Sequence, residues 1–162
     1  MSTTVANFIT GVWEIVFPPT EPLQKSSVRQ FQTEKTLSES DGILIAMLNS
    51  RGHEHIPFCV CDPSLPDCPI IFSSDGFCEF TGYSHDEIEG KNCRFLQGND
   101  TKKADVDRIR RAIKDLVPTS VNLLNYRKDG SPFANEFFLS PLRDSTGKLA
   151  YVSFLKSWVL LR

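Results

Sequence analysis

From residue 57 onward the chain alternates short apolar runs with polar turns, and the period of each run indicates the element it forms. Phe58 to Cys61 and Pro69 to Phe72 are short and apolar enough to be strands, with Asp62-Pro63-Ser64-Leu65-Pro66 turning between them. Asp75–Phe80 and Ser84–Ile88 predict two short helices separated by the breaker Gly82. In Thr101 to Leu116 the residues Val106, Ile109, Ile113 and Leu116 recur at steps of three and four among charged neighbours, which predicts a long surface helix with Pro118 beyond its end. Three strands close the pattern: Ser120–Lys128, Ser131–Leu139 and Lys148–Val159. Asp129-Gly130 is the hairpin signal between the first two, and Asp144–Gly147 marks the second turn. Two strands, a helical middle and a three-strand meander predict an α+β fold, a five-stranded antiparallel sheet with short helices on one face.

Ahead of this unit the pattern weakens. Residues 1–36 mix Pro18-Pro19, Pro22, Ser and Thr with isolated aromatics and show no sustained period, so they read as an extension, partly ordered at most. Thr36, Ser38, Ser40 and Asp41 then offer capping oxygens for a short helix through Ile43–Leu48, ended at Arg51-Gly52. Apolar side chains all round that helix predict its burial, as a cap on the sheet or against a second copy.

Composition narrows the partners. The 162 residues carry 18 basic and 20 acidic side chains, a formal charge of −2, so there is no basic excess for nucleic acid or an anionic membrane. With 40% hydrophobic residues and 12 Phe, the chain can bury a core. No apolar run approaches the roughly 20 residues of a membrane span, and the first thirty residues lack a signal-peptide pattern, so an intracellular protein is expected. Five cysteines, an odd number without a secretory signal, argue against a disulfide framework. His53-x-His55 and Cys59-x-Cys61 lack the spacing that closes a tetrahedral site, so no metal is expected; residues two apart on a strand simply share a face.

Polar residues where apolar ones belong carry the candidate chemistry. Alternation places Val121, Leu123 and Asn125 on one face of the first meander strand, and Phe133, Asn135, Phe137 and Leu139 on one face of the next. A buried carboxamide needs partners, since leaving it unpaired costs roughly 1–3 kcal/mol. A single such asparagine ordinarily bonds to backbone or to buried water. Two converging amides also present donors and acceptors suited to a planar heterocycle with C=O and N–H along its edge. Further back, Asn92-Cys93-Arg94-Phe95-Leu96-Gln97 holds a thiol, a guanidinium and two amides. In a helical turn Cys93 and Gln97 share one side, leaving Arg94 to reach an anion, with Arg110 as a second fork. Taken singly, a cysteine is usually a small hydrophobe and a helix arginine is usually solvated.

Gly90-Lys91-Asn92-Cys93-Arg94-Phe95-Leu96-Gln97-Gly98 resembles the signature of LOV (light-oxygen-voltage) domains, the flavin-binding, blue-light-sensing branch of the PAS fold. Asp62-Pro63-Ser64-Leu65-Pro66-Asp67, Phe80-Thr81-Gly82-Tyr83-Ser84, Leu124-Asn125-Tyr126 and Ser140-Pro141-Leu142-Arg143-Asp144 extend the likeness over about Pro57 to Trp158. The division that follows is 1–36 as N-terminal extension, 37–56 as cap helix and linker, 57–158 as the LOV/PAS domain and 159–162 as the C-terminal end. The resemblance implies a non-covalently held flavin, usually FMN, with FAD the alternative. It implies that Cys93 is the photoreactive cysteine, adding reversibly to flavin C4a on illumination. Arg94 and Arg110 are implied as phosphate ligands, Asn92 and Gln97 as cofactor-lining, and Asn125 and Asn135 as the pair bonding the pyrimidine edge, on the sheet face that also holds Leu123 and Phe137.

The last strand departs from the family. Lys156 stands where the family normally has a glutamine, and Phe154 where it tends to have glycine. Lysine only donates and cannot exchange donor for acceptor as an amide does, so either Lys156 points elsewhere or signal transmission differs. The expected function is a photoreceptor module, not an enzyme, since no nucleophile–base pair stands out. The alternative is a light-independent flavin- or ligand-binding PAS module of redox or interaction type. The sequence holds no kinase HRD or DFG set and no basic leucine zipper. Output is therefore expected through an unknown downstream partner, a homodimer formed by the N-terminal helix or the sheet face, or a further part of a longer protein, in the cytoplasm or the nucleus.

Overall fold

The computed structural model describes residues 7–9, 12–14, 29–53 and 55–156. The predicted residues Ser157 to Val159 of the last strand lie outside this set. Within the extension, β1 (Asn7–Ile9) pairs antiparallel with β2 (Val12–Glu14), a short hairpin that the absence of a period in residues 1–36 did not signal.

Five strands, β3 (Phe58–Cys61), β4 (Ile70–Ser73), β5 (Thr119–Tyr126), β6 (Pro132–Arg143) and β7 (Leu149–Lys156), form one sheet in the order β4-β3-β7-β6-β5, with every neighbour antiparallel. Between β4 and β5 come α2 (Asp75–Thr81), α3 (His85–Ile88), a 3-10 turn (Cys93–Leu96) and α4 (Lys103–Lys114). The α+β prediction and its five strands match this architecture.

The strand alternation sorts side chains to two faces. On the outer face Phe58, Val60, Leu142, Tyr151 and Leu155 pack with Phe31 and with Ile45 and Leu48 of α1 (Glu39–Leu48). Ser38 caps α1 by accepting from the Asp41 amide at 3.3 Å, and Asp41 accepts the Arg143 amide at 2.8 Å, which ties the helix start to the end of β6. The helix is not buried all round as its composition suggested: Ile43 and Met47, four residues apart, are 63% and 46% exposed. A helix lying on one sheet face can bury only the side turned towards it.

The inner face is covered by α2, the 3-10 turn and α4. Phe77, Ile88 and Leu96 pack on Cys59 and Cys61, whereas Val106, Ile109 and Ile113 of α4 pack near Val121, Leu123 and Phe137. The long helix starts two residues later than its pattern predicts because Thr101 is used elsewhere: its hydroxyl accepts from the Gly98 amide at 3.0 Å and donates to Leu124 O at 2.6 Å. It also ends early, since Leu116 has φ +54. Strand β6 runs four residues past its predicted end, through Ser140-Pro141. There it has outrun β5, whose pairing stops at Thr119 opposite Leu139, and a strand with one neighbour tolerates a proline without an N–H. Among the described residues no helix is long and apolar enough to cross a membrane.

Candidate functional site

A cavity of about 270 Å³ lies between the inner sheet face and the α2, 3-10 and α4 layer. That is close to the lower end of the roughly 300–1,000 Å³ usual for ligand clefts. Asn92, Cys93, Arg94, Gln97, Arg110, Leu123, Asn125, Asn135, Phe137 and Lys156 all line it, so the structure brings the ten candidate residues around one space.

Local chemistry explains how the 3-10 turn presents Cys93. The Asn92 side chain accepts from the Arg94 amide at 3.0 Å, capping the turn, and donates to Asp67 O at 2.6 Å and Cys68 O at 3.3 Å. The carboxamide is therefore spent on placing the turn against the 62–69 loop. Its neighbour Cys93 and the C-cap Gln97 both line the cavity.

On the sheet, Leu123 lies opposite Asn135 and Asn125 opposite Phe133, so the two asparagines are diagonal neighbours. Asn125 is buried. It donates to Leu96 O at 3.1 Å and accepts from Asn135 Nδ2 at 2.9 Å. The sheet and the 3-10 turn are thereby joined through one amide.

The two arginines stand at the rim with exposed guanidiniums, and each already meets a carboxylate. Arg94 Nη1 contacts both Asp67 oxygens, at 2.7 and 2.6 Å, and Arg110 bonds Asp107 at 2.8 Å. Neither is free in the way the sequence suggested. Exposed pairs of this kind contribute about 0–1 kcal/mol, so an incoming anion can share these guanidiniums at little cost.

Lys156 points into the cavity. Its side chain is almost fully buried, donates to Ala134 O at 3.3 Å, and lies 4.8 Å from the ring centre of Phe80 and 5.9 Å from that of Phe133. Arg127 lies over the same two rings, at 5.1 and 4.7 Å. Burial pushes the Lys156 ammonium below its ordinary pKa; Glu136 counters this and Arg127 adds to it. Cation–π contacts replace part of the lost hydration. Opposite Lys156 across the β6–β7 pairing stands Phe137, and Phe154 packs against the Phe137 ring at 5.5 Å.

Three further thiols stand in this wall that the sequence did not assign to the site. Cys59, Cys61 and Cys68 line the same cavity as Cys93. The shared face of Cys59 and Cys61 was visible in their two-residue spacing, but nothing local places residues 68 and 93 beside them. The thiols of Cys59, Cys68 and Cys93, packed in one cluster with Cys61, together with burial push the Cys61 thiol well above the ordinary range, and Cys61 in turn pulls both Cys68 and Cys93 below it. Among the described residues no group of three His, Cys, Asp or Glu side chains is placed to hold a metal ion.

The family model described as PAS domain matches residues 56–156. Phototropin-2 of Oryza sativa subsp. japonica is 51% identical over 94 residues, covering 58% of this chain and 10% of the phototropin. The light-state structure of the blue-light photoreceptor aureochrome 1 LOV domain superposes with a TM-score of 0.61 at 52% identity, covering 62% of this chain and 79% of that one. A light-oxygen-voltage domain studied with a flavin analogue gives 0.65 at 41%, covering 70% and 82%. The chain belongs to the PAS domain family. Within that family it is a LOV domain, and it spans about a tenth of the length of the phototropin it matches.

Proposed function

We propose that this chain is a blue-light-sensing module that holds FMN non-covalently in the inner cavity, with Cys93 as its photoreactive thiol. The observation that carries this reading is the meeting of Cys93, the Asn125–Asn135 pair and two rim arginines around one apolar space. The donor set fits a flavin. The Asn125–Asn135 bond offers amide donors and acceptors to the edge of a planar ring, Leu123 and Phe137 give its faces apolar contact, and Arg94 and Arg110 suit a phosphate. Similarity to the blue-light photoreceptor aureochrome 1 supports the same reading.

When bound, a flavin supplies blue-light absorption and, once excited, a C4a carbon that takes a thiol sulfur reversibly while N5 takes a proton. The rest falls to the chain's own residues. Cys93 provides a polarizable sulfur, made easier to deprotonate by the neighbouring Cys61 thiol. Asn125, Asn135 and Gln97 fix the orientation of the ring edge. Ile109, Ile113 and Leu123 give the cavity an apolar wall that would keep water from a bound ring. Lys156 would hold a ligand as a donor only and cannot reverse its polarity, so on this side of the cavity the chain would answer a bound flavin with a movable ammonium rather than a rotating amide.

The sensing domain in this reading is 57–158, with 37–56 as a cap that responds through the outer sheet face. The exposed Ile43 and Met47 of α1 are the contact offered to a downstream partner or a second copy. All five cysteines are free, which suits an intracellular, reducing compartment, cytoplasmic or nuclear. Phe154 and Lys156 fill part of the cavity, and this favours a second reading, a PAS module that binds flavin or another ligand without using light. Visible spectra of the purified chain before and after blue light separate the two. Reversible loss of the blue band supports photoreception; a static flavin spectrum supports the second reading.

A further inference from the structure

Lys156 is a buried cation that the chain leaves without an anion. It is 9% exposed and faces the inner cavity, yet among the described residues no carboxylate pairs with its ammonium. Of its three N–H donors one is used, on Ala134 O at 3.3 Å. Among the described residues no Asp or Glu lines the cavity, whereas Arg94, Arg110 and Lys156 do. The neighbours supply little compensation. The rings of Phe80 and Phe133 offer only their π faces, and Arg127, over the same two rings at 5.1 and 4.7 Å, adds a second positive charge. Glu136 of β6 favours the ammonium from a distance but makes no ion pair with it. A buried ion without a partner bears a desolvation cost, which a ligand of opposite charge offsets.

Position decides which part of a ligand this charge serves. Ala134 O, the acceptor of Lys156, belongs to the peptide bond that leads into Asn135, and Asn135 donates to Asn125 at 2.9 Å. The ammonium and the amide pair therefore border the same stretch of β6. Arg94 and Arg110 stand at the rim on Asp67 and Asp107, where they suit a phosphate. Lys156 is left to the ring.

We infer that Lys156 selects the reduced, anionic form of a bound flavin over the oxidised, neutral form. This rests on the flavin reading above and adds a regulation of the same site. An oxidised isoalloxazine is uncharged. A donor of the dihydronicotinamide class transfers a hydride, two electrons with one proton, to N5; its C–H bond breaks, an N–H bond forms, and the donor leaves as the nicotinamide cation. The product is a dihydroflavin anion with its negative charge spread over N1 and the C2 carbonyl. An ammonium lacking a counter-charge stabilises that anion more than it stabilises the neutral ring. At an effective dielectric of about 20, opposite unit charges several ångströms apart shift an equilibrium by tenfold or more. A glutamine in this position has no charge to bring to that balance. Dihydroflavin has also lost the blue absorption band, so reducing conditions silence the photoreaction of Cys93 and reoxidation restores it.

The test measures the two-electron reduction potential of FMN bound to the purified full chain, in darkness and without oxygen, by equilibration with a reference dye. Wild type, Lys156→Met and Lys156→Gln are compared. Both substitutions are expected to lower the bound potential by about 30 mV or more, the equivalent of a tenfold loss of preference for the reduced form. Lys156→Gln keeps a donor and removes the charge, so its fall assigns the effect to charge rather than to hydrogen bonding. A packing defect alone weakens both forms together and leaves the potential where it was. A potential that either substitution leaves unchanged or raises overturns the inference. A wild type that binds neither form of FMN overturns the flavin reading and this inference with it. A wild type that bleaches and recovers in blue light, yet has the same bound potential with and without Lys156, overturns this inference alone.

Discussion

Asn135 Nδ2 donates to Asn125 Oδ1 across 2.9 Å, and the same Asn125 donates to Leu96 O at 3.1 Å. One buried amide thus couples β6, β5 and the turn that carries Cys93. Replacing it orphans two groups at once, the Asn135 donor and the Leu96 carbonyl. Asn125→Ala is expected to lower the unfolding free energy of the flavin-free chain by roughly 1–3 kcal/mol, measured by urea denaturation, and to weaken flavin binding in a fluorescence titration.

A second prediction concerns phosphate recognition. Arg94 is held by Asp67 and Arg110 by Asp107 at the rim. A charge-assisted bond is worth about 1.5–3 kcal/mol, so Arg94→Ala is expected to weaken FMN binding by roughly tenfold or more. Riboflavin, which lacks the phosphate, should bind both proteins alike. Equal losses for the two ligands would place the phosphate elsewhere.

Lys156 gives a pH prediction. Burial lowers its folded pKa below the ordinary 10.5. Between the folded value and 10.5 the unfolded chain binds more protons, so stability rises with pH through that window. Below the window both states are protonated and the folded state bears the whole cost of a buried ammonium. Lys156→Met, of similar volume, is expected to raise the urea midpoint at neutral pH and to flatten its alkaline rise. It also removes the cation over Phe80, so retention of the rise in Lys156→Met would assign that rise to another group.

The segment before α1 is fastened by Arg29, which meets both Glu89 oxygens at 2.8 and 3.2 Å. Burial pushes the Glu89 carboxyl up, but bonds from Arg29 and Ser73 outweigh it and leave it below the ordinary carboxylate value. A depressed acid stabilises the fold above its unfolded pKa, and that contribution is lost as pH falls through the folded pKa. Glu89→Gln should therefore shallow the loss of stability on acidification. A double-mutant cycle with Arg29→Met should give a coupling on the order of 0.2–1 kcal/mol for this partly exposed pair.

Much of this arrangement is legible along the chain, because sheet and helix periods are local. The steps Val106, Ile109, Ile113 reveal the buried face of α4, and the alternation Leu123, Asn125 reveals two polar groups among apolar ones. Non-local pairings are not legible. The bond of Arg94 to Asp67, the gathering of Cys61, Cys68 and Cys93, and the meeting of Lys156 with Phe80 depend on register and loop closure. The strand over Ser131–Leu139 reads as ending before Pro141 until it is known that β5 begins at Thr119, opposite Leu139, and α1 reads as buried all round until it is seen lying on one sheet face.

The most direct measurement is a pair of visible spectra, dark and blue-illuminated, for the wild type and for Cys93→Ala. The wild type is expected to lose its blue absorption band under light and regain it in darkness, whereas Cys93→Ala binds the same pigment and keeps a band that light does not reversibly bleach. A wild type that carries flavin yet shows no reversible change, or a Cys93→Ala protein that bleaches and recovers as the wild type does, would contradict the assignment.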